Sequence, residues 1–347
     1  MRLSTFDYTL PANLIAAKPA TPRDHSRLLI LNRKNGAIKH DRFFNLPDYL
    51  TAGDVLVLNN TKVFPARLWG HKDKSGGKTE VLLIKNLRNN IWEALISARR
   101  VNPGLVINFK KGLTGKILSR QNNIFTIRFN KTKPMLSKII EQIGEPPIPP
   151  YIKNYPGSRS QLLQEYQTIY ANKRKSGSVA APTAGLHFTR RLLQRLAKQG
   201  VQIEYLTLHV GYGTFQPVKT EKIEDHRLHP EWIEIKHTTA NRLNQAKAEG
   251  RRIIPVGTTA LRALEAASDN KLPHKIKAKQ GYINIFIYPG YKFKSADALI
   301  TNFHLPKTSL IMLVAALASP AKIKTAYKQA IRKKYRFYSF GDAMFIY

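Results

Sequence analysis

Residues 178–188 read SVAAPTAGLHF, and the parsing of this stretch decides the fold class. Ser178, Val179, Ala180 and Ala181 are small and apolar, as a buried strand end requires. Pro182 then removes a ladder donor and Gly185 permits positive φ, so the strand stops. Thr189 is placed to cap the helix TRRLLQRLAKQ, which Gly200 ends. A polar loop carrying Thr183, Gly185, His187 and Phe188 therefore lies between a strand and a helix N-terminus. In open α/β sheets that is where ligands bind.

The same pattern of apolar strand, polar loop and capped helix recurs downstream. Residues 252–256 are followed by Gly257, Thr258 and Thr259 and then a helix containing Arg262 and Glu265. One helical turn separates that Arg and Glu, so a simple ion pair between them is the plain alternative to a functional role. Residues 298–300 lead into Asn302 and His304, with Thr308 or Ser309 capping SLIMLVAALA. Between the first and second units a strand ends at His209 and runs into Gly211, Tyr212, Gly213 and Thr214, a turn that lets backbone approach a ligand. Upstream, residues 28–31 and 55–58 read as buried strands, the second ending in the polar cluster of residues 59–62.

From Arg67 the texture changes to short strand-like runs separated by SGG, RNN, NPG, KKG and QNN turns. Such spacing predicts a small β-barrel. The expected architecture is an open-sheet α/β domain in two parts, residues 1–66 and 150–347, with an inserted all-β barrel over residues 67–149. That insert holds 16 Lys/Arg against 5 Asp/Glu, a net +11.

The whole chain of 347 residues carries 57 Lys/Arg and 22 Asp/Glu, a formal +35, which favours a polyanionic partner, nucleic acid before a membrane surface. With no cysteine there are no disulfides, thiol chemistry or cysteine metal sites, and a reducing cytoplasm suits the composition. No signal peptide is visible, and the greasiest run, residues 310–318, is too short to span a bilayer. His187, His209 and His304 follow strand ends, and Asp225, His226 and His229 cluster in DHRLH; these six are the acid/base candidates. Pro230 interrupts the paired histidines, so no metal is expected. Neither a dinucleotide fingerprint nor a Walker A loop nor a hydrolase nucleophile elbow occurs. The C-terminal stretch mixes a basic helix with aromatics, which allows either base stacking or a final core strand.

SVAAPTAGLHFT, LTLHVGYGTFQPV, DHRLHPEW, VGTTALRALE, IFIYPGY, ALITNFHLP and YRFYSFGDAMFI, in this order, resemble the S-adenosylmethionine:tRNA ribosyltransferase-isomerase family of queuosine biosynthesis. The resemblance runs essentially end to end. It departs from the family pattern at Asn60, at Tyr212 and over residues 280–284, where two acids are missing. It implies S-adenosylmethionine as co-substrate and a tRNA bearing 7-aminomethyl-7-deazaguanine at the wobble position as acceptor. The ribosyl part would move to the aminomethyl nitrogen and isomerise, giving epoxyqueuosine, adenine and methionine, in a monomeric cytoplasmic enzyme. Thr183, Gly257, Thr258 and Thr259 suit the methionine carboxylate or ribose hydroxyls. Tyr212 and Phe188 could face the sulfonium, and Gly185, Gly211, Gly213, Thr214, Arg262 and Asn302 complete the expected pocket. Arg99, Arg100, Lys110, Lys111, Arg120 and Arg128 on the barrel are the expected RNA contacts. An S-adenosylmethionine-dependent RNA methyltransferase and a non-enzymatic RNA-binding protein are the competing readings, separable by the products released.

Overall fold

The computed structural model describes residues 1–147, 155–211, 218 and 220–347. Apolar runs become the inner strands. In chain order these are β1 (Arg27–Leu31), its hairpin partner β2 (Ile38–Arg42), β3 (Val55–Asn59) and the two-residue β4 (Lys62–Val63). The barrel follows with β5 (Arg67–Lys72), β6 (Lys78–Arg88), β7 (Ile91–Ser97), β8 (Val106–Phe109), β9 (Thr114–Gln121) and β10 (Ile124–Phe129). Then come α1 (Lys133–Ile143), α2 (Arg159–Glu165), β11 (Ser176–Ser178), α3 (Arg190–Lys198), β12 (Gln202–Leu208) and β13 (Glu231–Ile235). The chain continues through α4 (His237–Ala248), β14 (Ile253–Val256), α5 (Thr258–Ala267), β15 (Lys279–Ile283) and β16 (Leu299–Asn302). It closes with α6 (Ser309–Ala318), α7 (Pro320–Arg332) and β17 (Ala343–Ile346).

The large sheet has the order β15-β13-β12-β3-β14-β16-β17-β1-β2. Its centre, β12-β3-β14-β16, is parallel throughout, so four strands end on one edge. Val55, Leu56, Val57 and Leu58 of β3 are wholly buried, as a strand covered on both faces requires. The fold class is the expected one: an open α/β sheet with a closed antiparallel barrel, β10-β7-β6-β5-β8-β9. The chain enters and leaves the barrel side by side, since Arg67 and Glu145 exchange backbone hydrogen bonds of 3.1 and 2.8 Å. No single helix among the described residues is long and apolar enough to cross a membrane.

One expectation about an element changes, and one open alternative is decided. The segment before PTAGLHF is not a strand of the large sheet. β11 pairs only with β4, and the Ser178 hydroxyl, bonded to the Val210 N–H at 2.9 Å and the Ala180 carbonyl at 2.7 Å, bends the chain out of the ladder. The C-terminal aromatics are settled in favour of the core, with Phe337, Phe340 and Phe345 at most 2% exposed.

Candidate active site at the parallel strand edge

Asn59, the last residue of β3, holds the edge together. Its amide donates to the Leu208 carbonyl at 2.9 Å and to Thr259 Oγ1 at 3.3 Å. Its Oδ1 accepts from the N–H groups of Leu208 at 3.0 Å and Thr61 at 3.1 Å. One buried side chain thus ties the ends of β12 and β3 to the start of α5. The polar cluster at residues 59–62 was its sequence signal. Asn60, one of the departures from the family pattern, accepts the Thr207 hydroxyl at 2.8 Å.

Gly257 begins α5 at φ +91°, a conformation reserved for glycine, and no side chain caps the helix. A Cβ at Gly257 would sit 3.6 Å from the Ala184 Cβ and 3.6 Å from Thr259 Oγ1, so the PTAGLHF loop lies directly over the α5 N-terminus. Thr183 to His187 form a 3₁₀ turn. Gly185 is pressed against Tyr170, whose hydroxyl oxygen would stand 1.9 Å from any added Cβ. The Tyr170 and Thr168 hydroxyls beside this loop are buried without hydrogen-bond partners among the described residues. Buried orphans of this kind ask for a ligand. Thr189 caps α3 as expected, accepting the Leu192 N–H at 3.1 Å. Phe188 does not reach this space. Its ring is fully buried, edge-on to Phe43 at 5.0 Å, because the residue before the α3 cap points under the sheet.

The three strand-end histidines differ in what they can do. Asn302 Nδ2 donates to the Tyr338 carbonyl at 3.0 Å, which fixes its amide, and so also donates to His187 Nε2 at 3.3 Å. The His187 proton is therefore on Nδ1, 2.8 Å from Ser26 Oγ, and both ring nitrogens are engaged. His304 is buried with Nε2 2.8 Å from Thr301 Oγ1. Half-buried His209 stacks on Trp232 at 4.9 Å, with Nδ1 2.8 Å from Thr61 Oγ1. Burial is the chief cause that lowers all three from 6.5, His187 and His209 to about 4 and His304 to about 3.

A pH effect follows with a definite sign. Below pH 6.5 the unfolded chain binds protons that these rings refuse until about pH 4 or 3. Their contribution to stability is complete above 6.5 and is lost as pH falls through that window. The urea midpoint should drop between pH 6.5 and 4; an unchanged midpoint would mean that the rings are solvated.

The DHRLH segment ends two residues before Glu231, the first residue of β13. His226 packs edge-on against Phe286 at 5.4 Å, while Asp225 and His229 are exposed. Burial and the neighbouring His229 lower the His226 pKa. No group of three His, Cys, Asp or Glu among the described residues could hold a metal ion. Tyr212, Gly213 and Thr214 lie outside the described residues. Gly211 donates its N–H to Glu231 Oε1 at 2.8 Å, and Glu231 also pairs with Arg262. The Arg262–Glu265 pair does not form. Glu265 instead accepts from the Ser295 N–H at 3.0 Å, the Ser295 hydroxyl at 2.6 Å and the Lys294 N–H at 2.9 Å. Arg262 is free to cross to β13, and its Nη2 is buried without a partner among the described residues. Glu231 closes the acid- and histidine-rich run 224–231, but no local pattern announces its pairing with Arg262, 31 positions away.

Residues 3–346 match the model of the queuosine biosynthesis protein family. The chain belongs to that family. It is 49% identical to the S-adenosylmethionine:tRNA ribosyltransferase-isomerase of Halothermothrix orenii and 45% identical to that of Aquifex aeolicus, in each case over 100% of both chains. Among solved structures it is similar to S-adenosylmethionine tRNA ribosyltransferase from Thermotoga maritima, with 34% identity and a TM-score of 0.55. That match covers 99% of this chain and 100% of the other. The queuosine-family motifs therefore fall where the geometry above puts them. His209, Val210 and Gly211 leave β12, PTAGLHF covers α5, VGTTALRALE joins β14 to α5, and ITNFH ends β16.

The six barrel cations named from the sequence are all exposed, but they do not share one end. Strand pairing sets Arg99 and Arg100 beside the β5–β6 turn, where Lys72 reaches the Arg99 carbonyl, and Arg120 at the β9–β10 turn of the same end. Lys110, Lys111 and Arg128 lie towards the opposite end, the one that carries the Arg67–Glu145 junction.

Proposed function

We propose that this chain is the S-adenosylmethionine:tRNA ribosyltransferase-isomerase its relatives are named for, and that its chemistry takes place at the edge built on Asn59. The observation that carries the reading is the convergence of the family motifs on one parallel strand edge lined by buried hydroxyls that have no partner among the described residues. The acceptor is a tRNA with 7-aminomethyl-7-deazaguanine at the wobble position. The ribosyl carbon is attacked by the neutral aminomethyl nitrogen, and rearrangement gives epoxyqueuosine with adenine and methionine released. A sulfonium acidifies the hydrogens on C5′, so one base that is neutral at pH 7 suffices to begin the sequence. All three strand-end rings are neutral at pH 7. His209 fits that requirement best because it is only half-buried and has Nδ1 alone engaged among the described residues, whereas both His187 nitrogens are engaged and His304 is buried. The N-terminus of α5 with Thr258 and Thr259, and Arg262 one turn further in, suit the methionine carboxylate. Tyr170 and Thr168, beside Gly185, suit ribose hydroxyls. No metal takes part, and the enzyme works as a monomer in the cytoplasm.

Mass spectrometry of nucleosides from precursor-bearing tRNA tests this. Epoxyqueuosine with stoichiometric adenine and methionine is expected; S-adenosylhomocysteine among the products would mean methyl transfer instead.

The barrel's role has its own test. Reversing Arg99, Arg100, Lys110 and Lys111 to Glu should weaken tRNA binding and lower the log–log salt slope by somewhat under ~1 per lost phosphate contact. S-adenosylmethionine affinity should not move. Because the two pairs sit at opposite ends, reversing each alone reports which end meets the RNA. Unchanged affinity and slope in the fourfold variant would leave the barrel surface merely solvated.

A further inference from the structure

The basic, aromatic C-terminal stretch separates in the folded chain. Its later aromatics are core, but α7 keeps its cations outside. Lys322, Lys324, Lys328, Arg332, Lys333, Lys334 and Arg336 follow one another with no acid among residues 320–336. Lys322 is held by the carbonyls of Arg33 and Lys34, and Arg336 pairs with Asp342 at 3.6 Å. Lys324 and Lys328, one turn apart and exposed, make no ion pair or hydrogen bond among the described residues.

These two lysines border a groove of about 460 Å³ between α6, α7 and the N-terminal segment. The rings of Phe6, Tyr8 and Tyr327 line it, Tyr8 and Tyr327 meeting edge-on at 5.2 Å. The one carboxylate in its wall, Asp7, is paired with Lys307 at 2.7 Å. The groove adjoins the candidate active site through the backbone of a single residue, His304. Tyr8 donates its hydroxyl to the His304 carbonyl, and the His304 N–H donates to the Tyr327 hydroxyl at 2.9 Å. His304 lies two residues beyond Asn302, at the end of β16.

We propose that this groove takes an unstacked base from the loop of the substrate RNA, with Lys324 and Lys328 on the flanking phosphates. The proposal rests on the RNA-modifying reading above. Phe6 and Tyr327 are at most 3% exposed and floor the slot, so the half-buried Tyr8 ring is the π-face a base can reach. Beside two uncommitted cations it gives the combination that single-stranded RNA requires, a surface to stack on and positive charge along the backbone. The only acid in the wall is already neutralised, so nothing there repels phosphate.

The test uses the full-length protein, precursor-bearing tRNA and an anticodon stem-loop carrying 4-thiouridine at single loop positions. Lys324→Glu with Lys328→Glu should lower the salt slope of tRNA binding by about 1.4, the single-strand value for two contacts, and weaken it roughly tenfold or more. Thr9→Trp, which fills the groove from its exposed rim, should weaken binding without changing the slope. Both variants should bind S-adenosylmethionine as the parent does. Irradiation of the parent complex should crosslink one loop position to the peptide containing Tyr8 or to that containing Lys324 and Lys328. Parental affinity in both variants, or a slope change in the lysine variant with neither a crosslink nor an effect of Thr9→Trp, overturns the base-docking assignment. A parent protein that binds no RNA would overturn the functional reading along with it.

Discussion

Exchanging His209 for alanine should lower turnover by about two to four orders of magnitude, the usual worth of a general base. Affinity for S-adenosylmethionine and for RNA should stay close to that of the parent. The ring is held flat on Trp232 with an interplanar angle of 16°, so its direction is fixed. The Thr61 hydroxyl approaches the Lys175 carbonyl at 3.5 Å, which leaves Thr61 to accept from the histidine Nδ1–H. The lone pair is then on Nε2, which faces Gly177; a Cβ added there would stand 2.8 Å away. With its pKa lowered to about 4, chiefly by burial and then by Lys175, this ring is neutral at pH 7 and protonates only in acid. The single-turnover rate of adenine release should therefore be flat above about pH 5 and fall below it. A His209→Ala protein that releases adenine within tenfold of the parent rate would remove the ring from the proton transfer.

The contrast between His209 and His187 shows what can be read from sequence and what cannot. Both follow apolar segments, and glycine and proline punctuation makes both loops visible. What differs is the company each ring keeps. His187 is closed in by Ser26, far upstream, and by Asn302, 115 positions downstream, and no local pattern announces either. The same holds for Asn59. Residues 55–58 read plainly as a buried strand, but strand order decides that β3 lies between β12 and β14 and hands Asn59 its partners. The barrel was the easier part, because closely spaced Gly and Asn turns constrain short antiparallel strands locally. Which of its cations share an end depends on register, which the turns do not reveal.

The other large effect concerns Glu231. Replacing it with alanine should cost about 3–5 kcal/mol of stability, read as a lower denaturant midpoint, because it leaves a guanidinium buried without its counter-charge. The side chains of Arg262 and Glu231 are only 6% and 3% exposed, so water cannot make up the loss. The Gly211 N–H loses its acceptor as well. Stability alone does not say why the chain keeps such a pair, since a hydrophobic substitute is often as stable. The paired replacement Glu231→Met with Arg262→Met separates the two roles. Removing both charges together should recover most of the lost stability. If Arg262 Nη2 serves a substrate carboxylate, the double variant should fold well and still bind S-adenosylmethionine much more weakly than the parent. Recovery of both the midpoint and the affinity would reduce the pair to a structural cross-link between α5 and β13.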